Sequence, residues 1–228
     1  MTRSVEESWE IIEGWLRQRV PHVHRMLAPP ATDDDLRTVE EAHGVALPPD
    51  LVSLWRGANG PGPGSMNFNL IVPPGFMLMG TRFAIKHLHE TRSIAIDPAN
   101  RYRFPGDEVD EQTLVEEYDA AVAELMGRPA GLGDDSPDGL LVHLPAWFMF
   151  ARESDCYFVD CRAGEQHGCV MRQGAYGGWG EPLWPGVAAL WEETADILAA
   201  IGPGDEPDWV PTSAGEWWFP AAWWHSDS

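Results

Sequence analysis

The sequence contains very little lysine, and acidic residues dominate its charge. Lys86 is the only lysine among 228 residues, and 36 acidic against 15 basic residues give a formal net charge of −21. Such a surface repels phosphate backbones and anionic lipid, which argues against direct binding of nucleic acid or membranes. It attracts a basic partner instead. The alternative reading is that the acidity serves only solubility.

Signals for membrane insertion, secretion and disulfide formation are missing as well. No apolar run has the length of a membrane span, and the start of the chain, MTRSVEESWE, lacks the layout of a signal peptide. Three cysteines without a secretory signal argue against a disulfide framework. We therefore expect a soluble, cytoplasmic protein whose length suffices for one domain with a substantial core.

The clearest structural signal lies in residues 140–172. Three short apolar runs, rich in aromatic and β-branched residues and separated by polar turns, are typical of an antiparallel β-meander. In the middle run, Tyr157 and Val159 should face one side and Cys156 and Phe158 the other. Both sides are apolar, so this strand is expected at the centre of a sheet that is covered on both faces.

Helical periodicity and capping signals surround the meander. Thr32 followed by three aspartates predicts a helix start, and so does the proline pair before Asp50. Short strands are expected before the meander, at residues 68–72 and 76–79. The periodic segments that predict helices are residues 4–19, 81–93, 107–126 and 186–201.

Two further segments stand apart in composition. Residues 97–139 have the character of an acidic, partly helical insertion, whose charges are most simply explained as a solvated face. The tail at residues 205–228 is rich in tryptophan and predicts a turn near Ala214 between two short edge strands. Its indoles are too apolar to stay wholly exposed, so they dock on the body, line a pocket or meet a partner.

Taken in this order, the segments resemble the SUKH superfamily, which includes fungal cell-wall-synthesis regulators and many bacterial immunity proteins. The motif LPPDL at residues 47–51 is the best match, followed by LPAW at 144–147, YFVD at 157–160 and WVP from 209. The resemblance implies an α+β fold in a single domain spanning 1–228. The expected architecture is a mostly antiparallel central sheet, the meander, with helices packed around it.

The resemblance also implies a binding function. Bacterial members of the superfamily are commonly immunity proteins that neutralise a toxin, often a nuclease or deaminase, by covering its active site. An acidic surface suits that role, because nucleases are usually basic where they hold nucleic acid. The expected partner is therefore a basic protein, with no nucleic acid and no membrane involved.

Local signatures of catalysis and metal binding are weak. No serine or cysteine occupies a nucleophile elbow of the Gly-x-Ser-x-Gly type. The spacing of Cys156, Cys161, His167 and Cys169 superficially resembles a zinc cluster. However, Cys156 and Cys161 should point to opposite faces of a strand and lie about 17 Å apart. Neither a metal nor a cofactor is therefore expected.

The alternative function is an adapted enzyme, of the cyclase or isomerase type, that acts on a small hydrophobic molecule as in secondary metabolism. It would use an aromatic-lined pocket and a histidine for proton transfer. The candidate catalytic residues are His143 and His89, with Glu90 as an orienting carboxylate. A tryptophan-lined cavity with one of these histidines bonded to a carboxylate would favour this alternative.

For the binding function, the expected recognition surface consists of the two meander turns and the glycine-rich segment at residues 173–180. The candidate binding residues are Trp147, Asp155, Asp160, His167, Tyr176 and Trp179.

Overall fold

The protein has an α+β fold, as the sequence predicts. A computed structural model describes residues 2–63, 70–100, 110–132, 142–174 and 180–224. The helices are α1 (Val5–Arg19), α2 (Pro21–Arg25), α3 (Asp33–His43), α4 (Pro49–Gly57), α5 (Thr81–Ala95), α6 (Glu111–Met126) and α7 (Val187–Ala200). The strands are β1 (Met77–Leu78), β2 (Trp147–Arg152), β3 (Cys156–Asp160), β4 (Cys169–Gln173), β5 (Trp209–Thr212) and β6 (Gly215–Trp218).

The helix starts follow from local capping chemistry. Ser4 begins α1 with a capping box. Its hydroxyl accepts from the backbone N–H of Glu7, and the Glu7 carboxylate accepts from the backbone N–H of Ser4. Thr32 and Asp35 form the same arrangement at α3. Asp110 caps α6 through the backbone N–H of Thr113. These caps place each helix within a few residues of its predicted start.

Strands β1 to β4 form one antiparallel sheet in the order β1-β2-β3-β4, which confirms the predicted meander. All five residues of β3 are buried. Tyr157 and Val159 belong to one hydrophobic cluster, and Cys156 and Phe158 belong to the other. The alternation expected from the sequence is therefore present, and β3 lies between two strands with both faces covered.

Two cores lie on the two faces of the sheet. The larger core joins Phe148 and Tyr157 to apolar side chains of α1, α4 and α7. The smaller core joins Phe158 and Trp147 to the inner face of α6. Helix α6 contributes Tyr118, Ala121 and Leu125 to this second core, so the acidic segment does more than form a solvated face.

The earlier strands are shorter than the sequence predicts. The strand expected at 76–79 is reduced to β1, a two-residue edge. Of the segment expected at 68–72, residues 68 and 69 lie outside the described residues, and Val72 forms only an isolated bridge with Phe76. Gly75, at a φ of 115°, permits the tight turn that connects this bridge.

The C-terminal tail folds as predicted into a hairpin. Strands β5 and β6 pair with each other in a separate two-stranded sheet, with Trp209 opposite Trp218. Trp217 and Trp223 are buried in the larger core, whereas Trp218 is 55 % exposed. Within the described ranges, no helix combines the length and apolar character needed to cross a membrane.

Candidate functional site

A pocket opens at the end of the sheet where the β2–β3 turn meets the end of β4. Antiparallel pairing brings these two segments to the same end of the sheet, and α5 packs over β2 beside them. The cavity has a volume of about 190 Å³. Its polar lining comprises His87, Glu90, Thr91, Arg152, Ser154, Asp155, Cys156 and Gln173.

His87 is the central titratable group of this histidine pocket, by which we mean the cavity and its lining. Burial, together with the smaller effect of the neighbouring Arg152 guanidinium, lowers the pKa of His87 from 6.5 to about 4. The nearby Glu90 carboxylate acts in the opposite direction. The Nε2 atom of His87 is buried and has no hydrogen-bond partner among the described residues. The ring is therefore neutral at physiological pH and keeps unused bonding capacity.

His143 lies directly behind His87. The two rings meet edge to face with their centroids 4.5 Å apart, and His143 is fully buried. Its Nε2 lies 2.9 Å from the carbonyl oxygen of Trp147, so this nitrogen carries the proton and Nδ1 is left as an acceptor. Burial holds the pKa of His143 well below its usual value. His143 can therefore influence the pocket only through its neighbours.

The other proposed catalytic residues lie on the exposed face of α5. Glu90 lines the pocket and pairs with Lys86 at 3.5 Å. His89 is exposed and is not among the lining residues. Asp155, a predicted binding residue, lies at the rim and accepts from Nε of Arg172 at 2.7 Å. The structure thus brings Glu90 and Asp155 to one cavity, with His143 behind it and His89 outside.

The opposite end of the meander contains three more of the predicted binding residues. Asp160 is buried and paired with Arg162, whose Nη2 donates to it at 2.7 Å. The Arg162 guanidinium lies 5.4 Å from the ring centroid of Trp147, which is also buried. His167 Nδ1 lies 3.0 Å from the carbonyl oxygen of Arg162. These residues surround an internal ion pair, and only His167 reaches the surface.

The Asp160–Arg162 pair also connects distant parts of the chain. Asp160 accepts from the backbone N–H of Gly131, and Arg162 donates to the carbonyl oxygen of Leu125. Leu125 lies in the last turn of α6, and Gly131 follows that helix. The pair therefore fastens α6 to the meander, which is a structural task that a buried, fully bonded ion pair can perform.

The three segments expected to form one recognition surface are divided between the two ends of the sheet. The β2–β3 turn and the end of β4 lie at the histidine pocket, whereas the β3–β4 turn lies roughly 15 Å away, at the far end of β3. Tyr176 and Trp179 lie outside the described residues. A partner that contacts both ends would have to span this distance.

The cysteines do not form a reactive cluster. All three are free and buried, and Cys156 and Cys161 belong to the two different cores, in agreement with the predicted opposite orientation. Burial raises the pKa of each thiol to about 12, so the thiols stay protonated. In the part of the chain that the structure describes, no group of three potential ligands is placed to hold a metal ion.

A second surface feature is the acidic face formed by α7 and the β5–β6 hairpin. An open groove of about 640 Å³ lies here, lined by Glu192, Glu193 and Asp196 of α7 and by Ser213 of the hairpin turn. Glu193 accepts from the backbone N–H of Ser213 at 2.6 Å and so ties the hairpin to α7. Arg3 is the cation that reaches this groove, through Asp196 at 2.8 Å.

The sequence-based prediction did not select His87 among the histidines and did not locate the acidic face at α7 and the hairpin, although each has a visible signal. His87 is four residues from the buried Thr91 and three from the buried Ala84, which places it on the inner side of α5. From residue 173 onward the sequence contains neither lysine nor arginine. The signal at this end of the chain is therefore an absence of cations rather than a dense run of acidic residues.

No family model matches the sequence, and no curated protein matches it.

Proposed function

We propose that this protein is a SUKH-like, immunity-type binding protein that neutralises a basic protein toxin through its acidic surface. The observation that carries the proposal is the balance of charges after internal pairing. At least nine of the 15 basic residues form ion pairs with carboxylates of the same chain. The excess negative charge is therefore not compensated internally.

An uncompensated excess of this size has a specific consequence for recognition. It attracts a basic partner over distances comparable to the Debye length, about 8–10 Å at physiological salt, and speeds the encounter. The same field repels nucleic acid, so the protein would compete with the substrate of a nuclease for the basic substrate site. This competition is the physical basis of the proposed neutralisation.

The test is binding to the protein encoded by the neighbouring gene. We expect a stable complex at 50 mM salt whose dissociation constant rises steeply by 300 mM salt, as measured by titration calorimetry. Co-expression should also restore growth to cells that produce the neighbouring protein. Absence of binding at low salt, together with no rescue of growth, would contradict the proposal.

A second candidate, small-molecule catalysis, is favoured by one observation, the neutral His87 in a cavity beside Glu90 and Arg152. The cavity departs from the aromatic-lined pocket that this alternative requires, because no tryptophan is among its described lining residues. His143 bonds a backbone carbonyl rather than a carboxylate. If catalysis occurs, His87→Gln should abolish turnover of a screened substrate and leave the unfolding transition cooperative.

A further inference from the structure

Trp209 and Trp218 are an unusual feature of the acidic face. They are directly opposite each other on β5 and β6, with ring centroids 6.4 Å apart and planes inclined by 43°. Their exposed fractions are 48 % and 55 %, whereas every other tryptophan that the structure describes is buried or half-buried. A cross-strand pair of this kind presents two indole faces on one surface. We call it the indole platform.

The hairpin does not need this platform for its attachment. Its inward residue Trp217 is fully buried, and its ring centroid lies 4.6 Å from that of Phe219. The Trp217 Nε1 donates to the carbonyl oxygen of Leu70 at 3.1 Å. Trp223 is also buried beside it. The inner indoles therefore dock the tail, and the outer pair remains on the surface.

The charged residues on and next to the hairpin are acidic. Glu206, Asp208 and Glu216 are exposed on the hairpin or next to it. No lysine or arginine follows residue 172, so neither the hairpin nor α7 contributes a cation. An indole face attracts cations through its quadrupole, and flanking carboxylates add a direct Coulomb attraction.

We propose that the indole platform, with its flanking carboxylates, is the surface that binds arginine side chains of a basic protein partner. This proposal rests on the proposed function and names its contact surface. Arginine suits the site better than lysine because its planar guanidinium is weakly hydrated and stacks on indole faces. The carboxylate of Glu216 lies on the strand opposite Pro211, next to the tryptophan pair, and complements the same cation.

The test uses two fluorescein-labelled peptides of equal length and charge, one alternating arginine with glycine and the other alternating lysine with glycine. Long-range Coulomb attraction to an acidic protein treats the two peptides alike, because their charges are equal. The indole platform instead predicts a preference for the arginine peptide, measured by fluorescence anisotropy at low salt. In a double variant, Trp209→Leu with Trp218→Leu, affinity for the arginine peptide should fall about tenfold and the preference should disappear.

Leucine retains apolar bulk, so this variant removes the aromatic faces with little loss of packing. A Trp209→Ala, Trp218→Ala variant provides a second comparison, and the far-UV circular dichroism of both checks the fold. Ile94→Ala is the matched control, because Ile94 is also 48 % exposed but lies at the histidine pocket. It should leave both affinities unchanged.

Any one of four results would overturn the inference. With the natural protein, these are equal binding of both peptides and no binding of either. With the variants, they are an unchanged arginine preference in the leucine variant and a loss of equal size in Ile94→Ala. If the neighbouring-gene product still binds in a salt-sensitive manner in these cases, the proposed function stands and only its contact surface is wrong. If the peptide results hold but that product fails to bind, the proposed function fails alone.

Discussion

The central meander and the C-terminal hairpin are both antiparallel and both carry large aromatic residues, but they expose them differently. Every residue of β3 is buried, and its side chains enter two cores. In the hairpin one side carries the buried Trp217 and the other carries the exposed Trp209 and Trp218. The meander therefore uses its aromatic residues for stability, whereas the outer side of the hairpin is available for recognition.

The strongest way to break this comparison is to remove aromatic volume from the meander. Phe158 is fully buried and its ring lies 4.6 Å from that of Trp147. Phe158→Ala should lower the free energy of unfolding by about 3–5 kcal/mol, because it removes buried surface and leaves a cavity. Urea denaturation followed by circular dichroism measures this loss. A loss below about 1 kcal/mol would show that the meander is not the core of the fold.

The buried ion pair at the far end of the sheet should respond almost as strongly. Arg162→Ala leaves Asp160 buried without its counter-charge, so we expect a loss of about 3–5 kcal/mol in the free energy of unfolding. The matched control is Arg172→Ala, which breaks the more exposed pair with Asp155. That control should cost about 1 kcal/mol or less. Similar losses for the two variants would refute the structural role assigned to Asp160 and Arg162.

Lowering the pH should reduce the free energy of unfolding through His87. Because the folded pKa of about 4 lies below the ordinary 6.5, the unfolded chain binds a proton in this interval that the folded chain does not. This contribution to stability is complete above pH 6.5, falls as the pH is lowered through the interval, and levels off below about 4. For one proton the slope is at most about 1.4 kcal/mol per pH unit.

The variant His87→Gln removes that proton and should make the free energy of unfolding less dependent on pH between 6.5 and 4. His89→Gln, on the exposed face of the same helix, is the control and should behave as the natural protein does. Urea titrations at three pH values provide the measurement. Identical pH dependence in His87→Gln and the natural protein would contradict the assignment of a neutral, half-buried His87.

The smallest stability effect is expected on the outer side of the hairpin. Trp218→Ala removes one member of an exposed cross-strand pair, so its cost should be within about 1 kcal/mol. Comparison with Phe158→Ala under identical conditions sharpens the contrast between the two regions. A cost as large as that of Phe158→Ala would mean that the outer indoles stabilise the fold, and the recognition role would lose its basis.

Much of the fold could be predicted from local patterns. The meander, its two-sided burial and the capped helices follow from alternation of apolar residues, from helical periodicity and from capping residues such as Ser4 and Thr32. The tail hairpin follows from its turn residues. Strand lengths before the meander were overestimated, because the extent of a strand depends on the partner that it pairs with, and β1 pairs only with the end of β2.

The candidate site was harder to predict, since it depends on which segments meet in space. Asp160 is a charged residue of the kind that could bind a basic partner, but Arg162, two positions later, pairs with it inside the protein. His143 is buried among aromatic rings, and the accessible histidine of the pocket is His87, on another element. Likewise, nothing in the local sequence distinguishes the buried Trp217 from the exposed Trp218. Which of the two is buried depends on which side of the hairpin packs on the rest of the protein.

Hydrogen exchange of the protein with and without the arginine peptide tests the central claim most directly. The account predicts that slowed exchange concentrates in residues 205–218, around the indole platform, while the meander strands exchange equally slowly in both states. Protection confined to the β2–β3 turn and the end of β4, with the hairpin unchanged, would contradict the account. It would place recognition at the histidine pocket instead.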